Sequence, residues 1–249
     1  MNILVTAGNT LVPIDRVRCL TNIFTGRTGA KIAMVAHERG HKVQLLTSRP
    51  EAVREVYGQE WLANADWDVV RYRTFEELRD AMQAAVQRPG FDVVIHCAAV
   101  SDYLSAGVYA PGPGTRFDAE KGAWRSEAGD PTLVDRRAEK VKSDEPELWL
   151  RLTRAPKLID LVRSTWNFRG ILVKFKLEVG VSEERLLEIA EASRQHSQAD
   201  LIVANTLEGS DSWAYVGPIQ GRYRRVERHE LADRLLDAID HKPTERTHG

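Results

Sequence analysis

Short runs rich in β-branched residues, at 2–6, 42–47, 68–71, 91–97, 170–175 and 200–204, alternate with longer stretches of helical period at 29–39, 75–87, 156–166 and 183–197. Most of the short runs are apolar throughout, as strands buried on both faces are, and strands that alternate with helices pair in parallel. The pattern predicts an α/β fold, with a mostly parallel sheet carrying helices on both faces. Thr74 with Glu77 three residues on, and Ser182 ahead of Glu183 and Glu184, mark two helix starts. A side-chain oxygen at such a position accepts from a helix amide that has no partner within the helix.

Two regions break the alternation. Between 104 and 139 fall Gly107, Pro111, Gly112, Pro113, Gly114, Gly122, Gly129 and Pro131. Breakers at that density predict a Gly/Pro-rich arm without a regular helix or long strand, and an arm of that length is a candidate flap. Further on, 212–219 and 222–227 flank Gln220-Gly221 and read as a C-terminal hairpin, 228–240 as a last helix, and 241–249 as a flexible tail. With 249 residues, 43% hydrophobic and 29% charged, the composition suits one globular domain over 1–240 with the arm inside it.

Charge and cysteine usage narrow the classes. Lys and Arg number 35 against 36 Asp and Glu, a net charge of −1, so no basic excess draws in a nucleic-acid backbone. The start has no signal-peptide pattern and nowhere do about 18 apolar residues run together. Neither nucleic acid nor membrane is expected as a partner, and a soluble cytoplasmic protein is. Cys19 and Cys97 fit no metal-ligand spacing and read as small residues near the core.

The first apolar run ends in Thr6-Ala7-Gly8-Asn9-Thr10, and Asn22-Ile23-Phe24-Thr25-Gly26-Arg27-Thr28-Gly29 leads into the first helix. Gly8, Gly26 and Gly29 let backbone approach phosphate oxygens, and helix-start amides supply donors. With Thr25 they form a candidate phosphate cradle, although the same glycines also suit a tight turn with no ligand. It is neither a G-x-G-x-x-G dinucleotide turn nor a Walker loop. Asn22 offers a donor and an acceptor at the mouth of this segment. The run at 91–97 leads into Ala98-Ala99-Val100-Ser101-Asp102-Tyr103, where the two alanines leave room for a ligand beyond the strand end. Asp102 suits a base, a ribose or, less directly, a metal, and equally a turn. His96, inside an apolar run, reads as a satisfied core histidine. Lys140 and Lys142 share one face if extended and suit a polyphosphate or plain solvent. Phe175 and Asn205 close two further strands, with core packing and turn formation as their competing readings.

Taken in order, T-A-G-N-T, P-I-D-R-V-R, N-I-F-T-G-R-T-G, A-A-V-S-D-Y, E-K-V-K-S, F-K-L-E and A-N-T resemble phosphopantothenoylcysteine synthetase over about residues 3–240. The resemblance implies a Rossmann-like homodimer that joins 4′-phosphopantothenate to L-cysteine, using a nucleoside triphosphate and Mg2+. The carboxylate is activated as an acyl-nucleotide, and the amine of cysteine then displaces the nucleotide. By motif position, Asn22 and Lys140 become the catalytic pair, touching the intermediate and its phosphates. Gly8, Thr25, Gly26 and Gly29 line the phosphate pocket, Ala98, Ala99 and Asp102 lie beside the nucleotide, and Phe175 and Asn205 complete the pocket. No metal ligand is implied, and the arm after Tyr103 is expected to reach toward the partner subunit.

The chain starts at the synthetase strand, as stand-alone members of that family do. Relatives that use CTP carry lysines where Ser193 and Ser197 stand here, and F-K-L-E with Ala155-Pro156-Lys157-Leu158 resembles the ATP-using forms. The resemblance thus points to ATP, with CTP as the other option. Phe24 replaces a small hydroxyl residue usual in the family's N-x-S-S-G pattern. Two other readings compete. A nicotinamide-dependent reductase or epimerase calls for an acidic residue after the second strand and a Tyr-x-x-x-Lys pair, but Thr47-Ser48-Arg49 follows that strand and no such pair occurs. A non-catalytic nucleotide-binding regulatory protein would share the pocket residues.

Overall fold

The computed structural model describes residues 1–57, 67–127, 129–138 and 140–242. In chain order the elements are β1 (Asn2–Ala7), β2 (Leu11–Pro13), β3 (Cys19–Thr21), α1 (Arg27–Glu38), β4 (Lys42–Thr47), α2 (Glu51–Tyr57), β5 (Trp67–Arg71), α3 (Phe75–Val86), β6 (Val93–His96) and β7 (Tyr103–Pro111). They continue with β8 (Thr115–Asp118), β9 (Ala123–Ser126), β10 (Leu133–Asp135), β11 (Trp149–Arg154), α4 (Leu158–Ser164), β12 (Ile171–Glu178), α5 (Glu183–His196), β13 (Leu201–Thr206), β14 (Trp213–Ile219), β15 (Arg222–Glu227) and α6 (Leu231–Asp240). The chain divides into two compact units, one of residues 1–10, 23–100 and 157–249, the other of residues 11–22 and 101–156.

The first unit is an eight-stranded sheet ordered β15-β14-β13-β12-β6-β1-β4-β5. From β5 to β13 every pairing is parallel, and β14 and β15 add an antiparallel hairpin at one edge. The chain starts in the middle, moves out to β5, then returns to β6 on the other side of β1. Strand order reverses there, which makes the gap between the carboxyl ends of β1 and β6 the crevice where open α/β sheets take ligands.

Residue alternation explains why helices cover both faces. Ile3, Val5, Val93, Ile95, Val173 and Val203 point to one side and pack with Ile32 and Ala33 of α1 and Leu235 and Leu236 of α6. Leu4, Leu46, Val94 and Leu172 are equally buried, and the period of two turns them to the other side. On that side α5 sets Leu186 and Ala190 against Ile202 and Ala204. Each such large aliphatic contributes about 1.5–3 kcal/mol by leaving water. Gly29, Ala30, Ala33 and Ala36 are small among the buried residues of α1, so the helix lies close to the sheet. The Thr74 capping box on α3 and the Ser182 cap on α5 form as the sequence indicates. α2 had no clear sequence signal, and the expected tail lies outside the described residues from 243 onward.

The second unit corrects the expectation of an arm without a long strand. β7 runs for nine residues and pairs antiparallel with both β10 and β11. The breakers sit where they do no harm. Gly107 lies beneath the Tyr109 ring, Pro111 ends β7, and Gly114 and Gly122 take left-handed φ of +70° and +58° around the β8–β9 hairpin. Phe117 and Trp124 of that hairpin pack against Trp149 with ring centroids at 4.6 Å each, the first tilted and the second edge-on. Beside this, β2 and β3 form a short antiparallel ribbon. Cys19, expected near the core, is exposed on β3 because every residue of this three-residue strand faces solvent.

Candidate functional site

In the first unit the cradle forms from backbone at the ends of β1 and β6. Gly8 follows β1 with φ +90°, and Gly26 caps α1 with φ +82°. Both occupy left-handed space that a side chain disfavours. A Cβ on Gly26 would stand 2.6 Å from the Gly8 nitrogen, and one on Gly29 would stand 2.6 Å from Ala7 Cβ. Three glycines thus let α1 begin against the end of β1. The segment after β6 runs alongside, since Ala99 N–H donates to Gly8 C=O at 2.8 Å and Thr10 N–H to Ala99 C=O at 3.3 Å. Cys97 N–H meets Thr6 C=O at 3.2 Å, and Ala98 N–H meets Thr6 Oγ1 at 3.1 Å. Gly8, Gly26, Gly29, Ala98 and Ala99 are therefore one cluster, as the sequence suggests. Exposed Thr25 stands in the loop just before the cap.

Phe175 and Asn205 lie two strands over. Phe175 sits opposite Val203 and Leu177 opposite Asn205 in the β12–β13 register, and by alternation both side chains face the α1 side. Phe175 is partly buried against the main core, so it packs, and its remaining surface is at the carboxyl end.

Electrostatics behind the cradle favour neutral groups. His96 is buried, hydrogen-bonded to Thr6 Oγ1 at 2.9 Å, and pushed down to about 4 by burial and then by Lys174. It is the satisfied histidine that the sequence implied. Burial pushes the Cys97 thiol up to about 12, which leaves no thiolate nucleophile at neutral pH. Lys174 is held by Ser193 C=O at 2.9 Å and Ser197 Oγ at 2.6 Å, and burial pushes it down to about 8. Ser48, just past β4, donates to Asn9 Oδ1 at 3.0 Å and accepts from Asn9 N–H at 2.9 Å. A hydroxyl thus occupies the position where a dinucleotide enzyme places its ribose-binding acid.

The second unit gathers Lys140. A cleft of about 610 Å³ is lined by Val17, Arg18, Lys140, Val141, Lys142, Ser143 and Asp144. Lys140 and Lys142 are exposed while Val141 between them is buried, the alternation expected of an extended segment. Asp15 and Arg18 build this cleft, and sequence reading gave them no role. Asp15 accepts from Val17 and Arg18 N–H at 2.8 and 2.7 Å and from Val141 N–H at 3.1 Å. Arg18 Nη2 donates to Asp15 Oδ2 at 2.7 Å and to Val141 C=O at 2.8 Å. The Arg18 guanidinium holds the Asp15 carboxyl well below the usual range. The signal was the P-I-D-R-V-R block, whose spacing places an acid three residues before an arginine in a tight turn. Half-buried Asn22 follows β3, and exposed Asp102 precedes β7, where its C=O accepts Ala155 N–H at 2.8 Å. Among the described residues no group of three or more His, Cys, Asp or Glu is placed to hold a metal ion, and no helix is long and apolar enough to cross a membrane.

Comparison with known proteins gives one consistent answer. The DNA/pantothenate metabolism flavoprotein C-terminal domain matches residues 1–110 and 128–241. The coenzyme A biosynthesis bifunctional protein CoaBC of Thermococcus kodakarensis is 32% identical over 245 residues, covering 96% of this chain and 50% of that protein. CoaBC of Mycobacterium bovis is 27% identical over 246 residues, 95% of this chain and 51% of that one. The chain thus spans about half the length of these curated relatives. Among solved structures, the DNA/pantothenate metabolism flavoprotein from Streptococcus pneumoniae superposes with a TM-score of 0.75 at 28% identity, covering 96% of this chain and 98% of that chain. A Cab2 variant in complex with phosphopantothenate-cysteine shares the fold, with a TM-score of 0.64 at 16% identity over 96% of this chain and 88% of that one.

Proposed function

The chain belongs to the DNA/pantothenate metabolism flavoprotein C-terminal domain family, and from that membership we propose that it is a ligase joining 4′-phosphopantothenate to L-cysteine in coenzyme A biosynthesis. The observation that carries the reading is the backbone convergence of Gly8, Gly26 and Gly29 with Ala98 and Ala99 where β1 and β6 end. This is a place for phosphates, at the switch point of the sheet.

A carboxylate resists attack by an amine until it carries a good leaving group. Its oxygen attacks the α-phosphorus of the nucleoside triphosphate, expelling pyrophosphate and leaving an acyl-nucleotide. The amine of cysteine then attacks the acyl carbon, and the nucleoside monophosphate leaves with the electron pair of the C–O bond. No protein nucleophile is required, in keeping with a Cys97 thiol held protonated. The amides at the start of α1 stabilise charge on the phosphates as the bonds change; by motif position in the family Lys140 is the phosphate-binding cation and Asn22 the residue that orients the intermediate. By motif position Ala98, Ala99 and Asp102 are nucleotide-binding residues, Thr25 adds a hydroxyl to the cradle, and Phe175 and Asn205 complete the set. Magnesium travels with the triphosphate. Mg2+ would supply charge neutralisation on the phosphate oxygens.

ATP is the favoured nucleotide, because Ser193 and Ser197 replace lysines of CTP-using relatives and both are engaged by Lys174. A homodimer is the expected assembly and the cytoplasm the expected location. The test incubates the protein with 4′-phosphopantothenate, cysteine, Mg2+ and either ATP or CTP, and follows ligated product by mass together with pyrophosphate. Product with ATP supports the whole reading, product with CTP alone reverses the nucleotide, and product with neither overturns the ligase.

A further inference from the structure

The first turn of α1 is anchored by residues from the far end of the chain. Arg228, between β15 and α6, donates from Nη2 to Thr28 Oγ1. Its own N–H is fixed on Ser212 C=O at 2.8 Å. One turn further along α1, Lys31 Nζ donates to His229 C=O at 2.8 Å. The guanidinium is also close enough to Cys97, just past β6, to offset part of the burial effect on that thiol. Arg228 therefore stands where α1 begins and β6 ends, at the cradle.

The electrostatics of that position are unusual. A helix start carries a partial positive charge and favours acids in its first turn. α1 has no side-chain cap and no acidic residue there, and Arg27 turns away to Glu55 at 3.0 Å. Placing a second positive group at this end is unfavourable until an anion arrives. Local conflicts of this kind concentrate at functional sites. A guanidinium has five N–H donors in a fixed fork, more than one hydroxyl can accept, and the fork matches phosphate oxygens.

We propose that Arg228 is a phosphate-binding residue of the nucleotide site, oriented by Thr28 and donating to a phosphate oxygen beside the first-turn amides of α1. The proposal rests on the reading of this cradle as the nucleotide site, and it adds a residue that is remote in sequence from the cradle motif.

Binding separates it from turnover. ATP, CTP and inorganic tripolyphosphate are titrated calorimetrically into the full chain and its variants, at two salt concentrations. Losing one charge-assisted hydrogen bond to phosphate weakens binding by roughly ten- to a hundredfold, so Arg228→Gln should show that loss for a nucleoside triphosphate. Arg228→Lys, which keeps a point charge without the fork, should fall between. Lys31→Met cuts the neighbouring tie and should change affinity by less than about twofold, as an exposed substitution away from the ligand does. Thermal melts accompany each variant, and where Arg228→Gln does not fold, Arg228→Lys and Thr28→Val carry the test. Wild-type affinity in both Arg228→Gln and Arg228→Lys, an equal loss in Lys31→Met, or no triphosphate binding by the unaltered protein overturns the proposal. Binding that depends on Arg228 without ligated product would keep Arg228 and remove the ligase.

Discussion

Asp15 accepts the backbone N–H of Val141 at 3.1 Å, across 126 residues of sequence. Arg18 takes the C=O of the same residue at 2.8 Å, so both polar groups of Val141 are fixed and Lys140 and Lys142 are presented on either side. Asp15→Asn keeps the shape, weakens the pairing with Arg18 and removes a charged acceptor from three amides. We expect kcat for ligation to fall about tenfold or more, the cost of one charge-assisted hydrogen bond, with the far-UV spectrum unchanged. Steady-state kinetics decide it, and an unaltered kcat would detach Asp15 from the site.

Lys140 is exposed, so replacing it should move stability by no more than about 0.5 kcal/mol. Removing a group that stabilises developing charge costs about 10²–10³ in rate. Lys140→Met should therefore lose ligation by that order while its melting temperature holds, and Asn22→Asp should behave alike. Pyrophosphate release and product mass, read separately, show which half-reaction suffers. Full turnover in either variant would take that residue out of the mechanism.

Gly29→Ala tests the close approach of α1 to β1. Helix propensity alone would favour alanine by about 1 kcal/mol. The added Cβ would stand 2.6 Å from Ala7 Cβ and 3.1 Å from Thr6 C=O, and overpacking costs about 1–3 kcal/mol. Packing should win, giving a net loss in urea unfolding of the order of 1 kcal/mol. A gain would mean that the helix can back away from the strand.

His96 sets a pH dependence. Its value in the fold, about 4, lies below the ordinary 6.5, so between those limits the unfolded chain binds the extra proton. Stability from this group is complete above about pH 6.5 and is lost as pH falls toward 4, by roughly 3 kcal/mol over the interval. His96→Gln should flatten the acid limb of a plot of stability against pH. An acid limb as steep as in the parent would place the loss elsewhere.

The parallel sheet, the helix caps and the C-terminal hairpin were legible because each rests on local chemistry: apolar runs, a hydroxyl before a helix, a Gln-Gly turn. Unit two was not. Gly107 stands in β7 where a side chain would collide with the Tyr109 ring, so a residue that reads as a breaker is there for packing, and Gly114 and Gly122 read as loop until β8 and β9 are seen to pair. That hairpin falls in the gap between residues 110 and 128 of the family match, and its rings pack on Trp149. The glycines of the cradle were readable as a motif, but the close approach they allow, Gly26 to the Gly8 backbone and Gly29 to Ala7, depends on how α1 packs on β1. Asp15, Arg18 and Arg228 escaped because each acts on a segment more than a hundred residues away.

α1 meets Arg228 through Thr28 at one end, and at the other Arg39 grips Asp233 and Asp237 at 2.8 Å each. These partners lie 194 to 200 residues downstream. During synthesis β1 and α1 emerge well before the residues that hold both ends of α1. Here the early helix gains its last contacts only once residues 228–237 have left the ribosome. A chain cut ahead of Arg228 therefore leaves both ends of α1 without these partners, so the first helix of the sheet is completed by the last one and the turn that leads into it.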